Sequence, residues 1–425
     1  MLDRHRIYLY QNYLLYGIAF FMPLFPRIVP LLILAFGALS VYAILRGFSR
    51  AQLSEISVLL IGYYLLHVAG MVWTENIERG LFELEVKLSL LAFPLAFVGF
   101  KFVNTTNYTN VLRMFLFGTL AACVICIAQS AYQYFFMHER YFVFFTSGFS
   151  FILHPSYMAM YVLFSMAVLC YLEWPVIHRH RPAKSLVNVF LLLFLSVCVV
   201  LTASKIGFIM LVLTGITVMV LLLRDYPVKW VPIAMFIVVA SVIGWLFQSS
   251  PILRERIMLV VQIAKGDKEV RPDSRESTAA RALIYETAWE AVTTQPWYGR
   301  GTGDHQEALD QLYLQKGYSQ PLKRRYNAHN LLLQSWLTLG IPGLVLILGI
   351  FILMFIQSIS TREWIYIAFT SLFFLISLTE SSLNVQAGVT FFSFFAVLFS
   401  RRAMSIGALG GEDDLEQEVS VSSQG

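Results

Sequence analysis

His329 stands in Asn327-Ala328-His329-Asn330, where the long polar stretch of the chain gives way to an apolar run. An imidazole titrates near neutral pH, so it is suited to draw a proton from a hydroxyl. Arg281 lies upstream, and arginine binds phosphate oxygens in pairs. A base and a guanidinium together suit a transfer from a phosphate leaving group to a hydroxyl. Other residues of fitting type surround them. Lys205 sits in Leu201-Thr202-Ala203-Ser204-Lys205-Ile206-Gly207, a turn too tight to release it easily to bulk water. His154 and Tyr157 open an apolar run in Leu153-His154-Pro155-Ser156-Tyr157, and Lys87 follows Glu85-Val86. Arg300 lies among alternate glycines, Arg325 closes Lys323-Arg324-Arg325, and Glu380 ends an apolar run as a partner for an arginine or lysine. Ionisable residues at the edge of apolar segments are functional candidates. Lys205, Arg300, Arg325, His154, Tyr157, Lys87 and Glu380 are therefore candidate substrate contacts. Arg271, Arg275 and Arg324 are further cations that can complete the set.

The elements that position these groups follow from composition. The chain has 425 residues, 58% hydrophobic and only 13% charged, with a mean hydropathy of +0.67. Soluble domains carry about a quarter charged residues. The composition predicts an all-α polytopic membrane protein, because a helix satisfies its own backbone within lipid. Apolar runs predict about twelve transmembrane helices, centred near Gly17, Ala35, Tyr64, Ala96, Ala122, Val162, Phe194, Leu213, Ile237, Leu348, Thr370 and Phe394. With both ends cytoplasmic, the short inner segments hold more basic residues than the short outer loops, as the positive-inside rule requires. Residues 1–248 then form spans one to nine. Residues 249–328 form one long outer loop with helical elements. Residues 329–402 form an interfacial helix and spans ten to twelve, and 403–425 a disordered cytoplasmic tail. Leu14 to Phe25 reads as the first span, since Pro26-Arg27 follows it and not a small-residue cleavage site. The four cysteines all fall in apolar runs, as buried small hydrophobes. His67 reads as packed within a span. His178 and His180 belong to an inner basic loop, and His305 to a loop open to water. A net charge of +5 carries no nucleic-acid signature.

Within the long loop, Asp273 and Glu276 read as a capping box for a helix from about Ser274 to Thr294. Arg281, Tyr285, Ala288 and Val292 share one face of it. Gly299, Gly301 and Gly303 predict a flexible turn, and their spacing is not that of a dinucleotide-binding loop. In Gly340-Ile341-Pro342-Gly343, Pro342 blocks a continuous helix. Residues 330–339 are thus expected as a separate short helix at the interface. His329 at its start would face Arg281 across a cleft, where a positive helix end favours a neutral base and holds anions. No Asp-x-Asp motif lies on the outer side, so no cofactor and no metal site is expected.

Four features together resemble the O-antigen ligase and polymerase (Wzy-C type) superfamily. They are the many-span frame with a late outer loop, and the Leu-Thr-Ala-Ser-Lys-Ile-Gly turn at 201–207. The others are Arg281 through Gly303, and His329-Asn330 followed by Gly340-Ile341-Pro342-Gly343. The resemblance implies a glycosyltransferase in the bacterial inner membrane, with its site on the periplasmic face; a direct displacement of the diphosphate would make it inverting, and the missing Asp-x-Asp motif makes a metal-independent reaction the expectation. It implies an undecaprenyl-diphosphate-linked glycan as donor, and lipid A-core or another glycan or protein as acceptor, among membrane lipid. In this family an outer-loop histidine and several arginines are essential; they match His329 and Arg281. Position 205 matches a family arginine but is lysine, which keeps the charge and loses the bidentate fork. Ligase activity in lipopolysaccharide assembly is the leading expectation. A polymerase or a protein O-oligosaccharyltransferase shares the chemistry. A flippase or transporter of lipid-linked sugars is the rival of another class; it should show repeated halves and ionisable groups at mid-membrane.

Overall fold

The computed structural model describes the chain except for residues 1–2, 101–104, 139–140, 179–181, most of 226–276 and 423–425. Among the described residues every regular element is a helix. Six helices are long and apolar enough to cross a membrane: Pro26–Leu45, Glu55–Trp73, Thr105–Phe136, Pro155–Glu173, Leu331–Ser360 and Gln386–Ile406. Shorter apolar helices at Leu186–Leu201, Lys205–Val220 and Trp364–Ser377 add to them. The protein is an all-α, multi-pass membrane protein. Ile237, the predicted ninth centre, is described and exposed, but most of the residues around it, the proposed capping box at Asp273 and Glu276, and the first part of the long loop lie outside the described residues.

One expectation changes. The predicted centre at Ala96 closes a helix of only 8 residues, Ser89–Ala96, too short to cross alone. The helix before it, Ile77–Lys87, turns Glu83 and Lys87 inward and leaves Ile77, Leu81 and Phe82 exposed. Its charges pack where an ordinary span would place apolar side chains. The last helix is assigned from Gln386 to Ser422.

The core is aromatic. Phe164, Phe369, Phe391, Phe395 and Phe399 pack their rings between the helices Pro155–His178, Trp364–Ser377 and Gln386–Ser422. Edge-to-face and tilted ring pairs add about 0.5–1.5 kcal/mol each beyond the area they bury. This core sits behind the start of the Pro155–His178 helix and the end of the Trp364–Ser377 helix, and both ends reach the site described below.

The Leu331–Ser360 helix is broken, as its sequence predicts, but at Gly340 and not by Pro342 alone. Gly340 has φ 71° and ψ −164°, a conformation open to glycine. A break in a helix frees backbone groups that need partners. The loop at 296–301 supplies them. Arg300 and Gly301 donate their N–H groups to Leu337 O and Thr338 O at 2.8 and 3.0 Å, and Ile341 donates to Pro296 O at 2.9 Å. The approach is so close that a Cβ on Gly340 would meet Trp297 O at 2.3 Å, and one on Gly299 would meet Gly340 N at 2.5 Å. The alternate glycines therefore serve close backbone packing, and the turn they form is no loose tether.

Candidate active site

Chain breaks and helix starts bring the site residues together. Ser204 caps the Lys205–Asp225 helix, its hydroxyl accepting from Gly207 N at 3.2 Å, so Lys205 opens that helix directly after the turn. His154 precedes Pro155, which begins the Pro155–His178 helix as proline at a first helical position does. Ser156 lies in that first turn. His329 has φ 44° and stands just before Asn330, the cap of the Leu331–Ser360 helix. The Asn330 side chain accepts from Leu332 N and Leu333 N at 2.9 and 3.1 Å and donates to Leu378 O at 3.1 Å. It thereby ties the histidine's helix to the chain that carries Glu380. Tyr285, one turn beyond Arg281, donates to His329 O at 3.2 Å.

Glu380 is the meeting point. Arg281 Nη2 lies 2.7 Å from its Oε1, and His329 Nδ1 lies 3.2 Å from its Oε2. Ser156 Oγ donates to Oε1 at 3.1 Å. The carboxylate is 10% exposed. Burial alone would raise its pKa, but the His329 contact, the Arg281 guanidinium and the Ser156 hydroxyl outweigh burial and hold it below the usual carboxylate value. An ionised carboxylate only accepts hydrogen bonds, so His329 Nδ1 is the donor in this contact.

These residues form one wall of a cavity of about 490 Å³, also lined by His154, Ser156, Lys205, Thr146, Ser204 and Tyr326. This is within the usual range for small-molecule sites, roughly 300–1,000 Å³. Arg281 and Lys205 face one carboxylate there, with His154 and His329 beside them as hydrogen-bonding groups, a balance that favours an anion. His154 is open at its surface, yet desolvation is the largest influence on it. It lowers the pKa below the ordinary histidine value against the pull of Glu380, with His329 and Arg281 pushing the same way as desolvation. The imidazole is thus neutral at pH 7.

Of the residues singled out from sequence, His329, Arg281, Lys205, His154 and Glu380 line this cavity. Tyr157 does not line it; it is 5% exposed, with its ring 6.2 Å from that of His154. Three cations are engaged elsewhere. Lys87 bonds Glu83 at 2.7 Å and is 2% exposed. Arg300 donates to Thr294 Oγ1 at 2.6 Å. Arg325 donates to Asp310 at 2.8 Å. Lys87 is held by a carboxylate one turn earlier on its own helix, while Arg300 and Arg325 find their partners 6 and 15 residues back along the chain. Arg271 and Arg275 lie outside the described residues. His305 is buried, not solvated, and His67 is buried with its ring against Tyr63. Ser156 and Tyr326 are the groups that sequence reasoning passed over. Ser156 sits beside His154 in the same helix start, and that adjacency was the available signal. Tyr326 packs edge-on against His329 at 5.3 Å.

Fold and site define a multi-pass membrane protein with an anion-suited cavity at a junction of helix ends. Residues 190–348 match the protein family described as O-Antigen ligase (Wzy_C), which supports placing the chain in the O-antigen ligase and polymerase superfamily. The matched segment contains Lys205, Arg281 and His329, while His154 and Glu380 fall outside it. A comparison with curated proteins gave no match.

Proposed function

We propose that the protein is an inverting glycosyltransferase that moves a glycan from a polyprenyl diphosphate, of the undecaprenyl type, to an acceptor hydroxyl. The setting would be the periplasmic face of the inner membrane. The observation that carries this reading is that His329 and Arg281 hold the same carboxylate in the wall of a cavity which Lys205 and His154 also line. The family match supports activity of the O-antigen ligase or polymerase type in general.

In the proposed reaction His329 Nε2 takes the proton from the acceptor hydroxyl. The hydroxyl oxygen forms a bond to the anomeric carbon of the donor. The bond from that carbon to the diphosphate oxygen breaks, and its electron pair leaves on the polyprenyl diphosphate. One displacement of this kind inverts the anomeric centre. Arg281 and Lys205 meet the charge that develops on the leaving oxygens, and fixed cations in a cleft need no rearrangement to do so. The neutral His154 contributes a hydrogen bond at the rim. No metal is required for any of these steps, since side-chain cations neutralise the diphosphate.

The test is transfer by purified protein from a polyprenyl-diphosphate glycan to candidate acceptors, comparing wild type with His329→Ala. Transfer to lipid A-core with inverted configuration supports the ligase. Product that appears only as longer lipid-linked glycan makes the protein a polymerase, and a glycosylated protein makes it an oligosaccharyltransferase. Retained configuration, or full activity in His329→Ala, overturns the mechanism. Translocation without transfer would move the protein to the flippase class.

A further inference from the structure

We infer that Glu380 is the positioning residue of this site: one carboxylate that fixes the ring of His329 through Nδ1 and holds Arg281 aimed at the cavity until an anion replaces it. The inference rests on the reading of His329 as the base. It goes beyond a role for Glu380 in binding substrate, because a carboxylate inside a diphosphate site repels the ligand.

Three contacts converge on the two oxygens. Oε1 receives Arg281 Nη2 at 2.7 Å and Ser156 Oγ at 3.1 Å, while Oε2 faces His329 Nδ1 at 3.2 Å. The partners come from three separate helix ends, and Glu380 itself follows the Trp364–Ser377 helix. Its backbone N–H is anchored on Ile376 O at 3.0 Å, so the side chain starts from a fixed point. A base acts only in the correct tautomer, and a carboxylate against one ring nitrogen selects the other as the acceptor of the proton. The same group neutralises a guanidinium that is 20% exposed. A diphosphate brings more charge and can take Arg281 over in a two-pronged contact, whereas Oε2 keeps its hold on His329. Arrival of the donor would thus change the partner of Arg281 and leave the base in place.

The experiment uses full-length protein in lipid nanodiscs with a polyprenyl-diphosphate glycan, and inorganic pyrophosphate as the anion probe. In Glu380→Gln, kcat is expected to fall about 100-fold, within the span that general bases contribute. The donor KM should stay level or fall. Pyrophosphate should bind several-fold more tightly, because its competitor for Arg281 has lost its charge. The ¹⁵N signals of the His329 ring should shift toward the Nε2–H tautomer. Glu380→Asp keeps the charge with a shorter reach; it should recover part of kcat and retain the wild-type tautomer. If Glu380→Gln does not fold, Glu380→Asp with an Nε2–H ring overturns the proposal on its own. A Glu380→Gln rate within twofold of wild type also overturns it. So does a rise in donor KM that accounts for the whole loss, which would make Glu380 a substrate contact. Should His329→Ala retain full transfer, the base assignment fails; should only the tautomer and affinity results fail, the base stands and Glu380 loses this role.

Discussion

Two clusters in this protein are built from the same residue types. In one, Glu380 grips Arg281 and His329. In the other, Glu83 grips Lys87 at 2.7 Å and Arg79 at 2.8 Å, with His305 Nε2 at 4.0 Å. Both carboxylates are buried, and both are held below their usual pKa by cations that outweigh burial. They differ in what lies on the far side. The Glu380 cluster forms the wall of a cavity. Lys87 and His305 are each 2% exposed, and their cluster seals the seam between the Ile77–Lys87 helix and the His305–Gln315 helix. Around it, Asp304 takes the N–H groups of Glu75 and Asn76, and Thr302 donates to His67 O. The comparison teaches that a buried carboxylate with cations marks a site when its partners line a cavity, as Arg281 and His329 do; Arg79 is 42% exposed but does not line that cavity. The same trio sealed in protein is a clasp that docks the polar segment on the membrane helices.

The largest expected effect separates the two histidines. His329→Ala should lower the transfer rate by about 10²–10⁴-fold with the fold intact. His305→Gln should leave the rate of the remaining folded protein close to wild type. Equal rate losses at both positions, measured on purified folded protein, would erase the distinction.

Next is the clasp itself. Lys87→Met leaves Glu83 buried with a weaker set of partners and should cost about 3–5 kcal/mol of stability. Lys87→Met with Glu83→Leu should recover most of that loss, since a buried pair can often be replaced by apolar side chains at little cost. Thermal unfolding in detergent reads both. A single variant as stable as wild type would remove the clasp from the account.

Arg281→Lys tests the fork. Lysine keeps the charge and loses the planar pair of donors. A loss of roughly 10–100-fold in transfer is expected, smaller than for a full truncation of a charge-stabilising donor. Wild-type kcat and KM in Arg281→Lys would show that only the charge matters there.

Acid should act on the clasp before it reaches the carboxylates. Burial lowers the His305 pKa despite Glu83, and Lys87 and Arg79 lower it further. The folded state therefore binds this proton less readily than the unfolded chain, whose histidine titrates near pH 6.5. As pH falls through about 6.5 the unfolded chain takes up the proton first, so stability declines over that window. His305→Gln should flatten this part of the stability–pH curve. The depressed carboxylates contribute stability that is lost only at lower pH, below about 4.5, so they do not obscure the window. An unchanged curve between pH 7 and 5 would rule His305 out as its source.

The smallest effects belong to the cations that sequence nominated and the fold engages elsewhere. Arg300→Ala and Arg325→Ala are expected to leave transfer within about twofold of wild type, since Arg300 donates to Thr294 and Arg325 sits in an exposed ion pair with Asp310, a kind of contact that contributes little. A tenfold loss in either would bring that arginine into the site.

Sequence made the membrane class legible, because a bilayer demands long apolar helices and tolerates few charges. It made His329, Arg281 and Lys205 legible as well, since local patterns surround them: a helix start, a shared helix face and a tight turn. The break before Pro342 was readable because glycine and proline act on the backbone where they stand. Sequence by itself could not choose among the remaining charges. Arg300, Arg325 and Lys87 looked no different from Glu380 and His154 as candidate contacts. Which of them faces a cavity is decided by how distant segments pack together. Arg281 and His329 lie 99 and 51 residues from the Glu380 that joins them, and only the packed helix ends bring the three together. Residue type and local spacing determined what chemistry was available, and long-range packing decided which charges were left open to perform it.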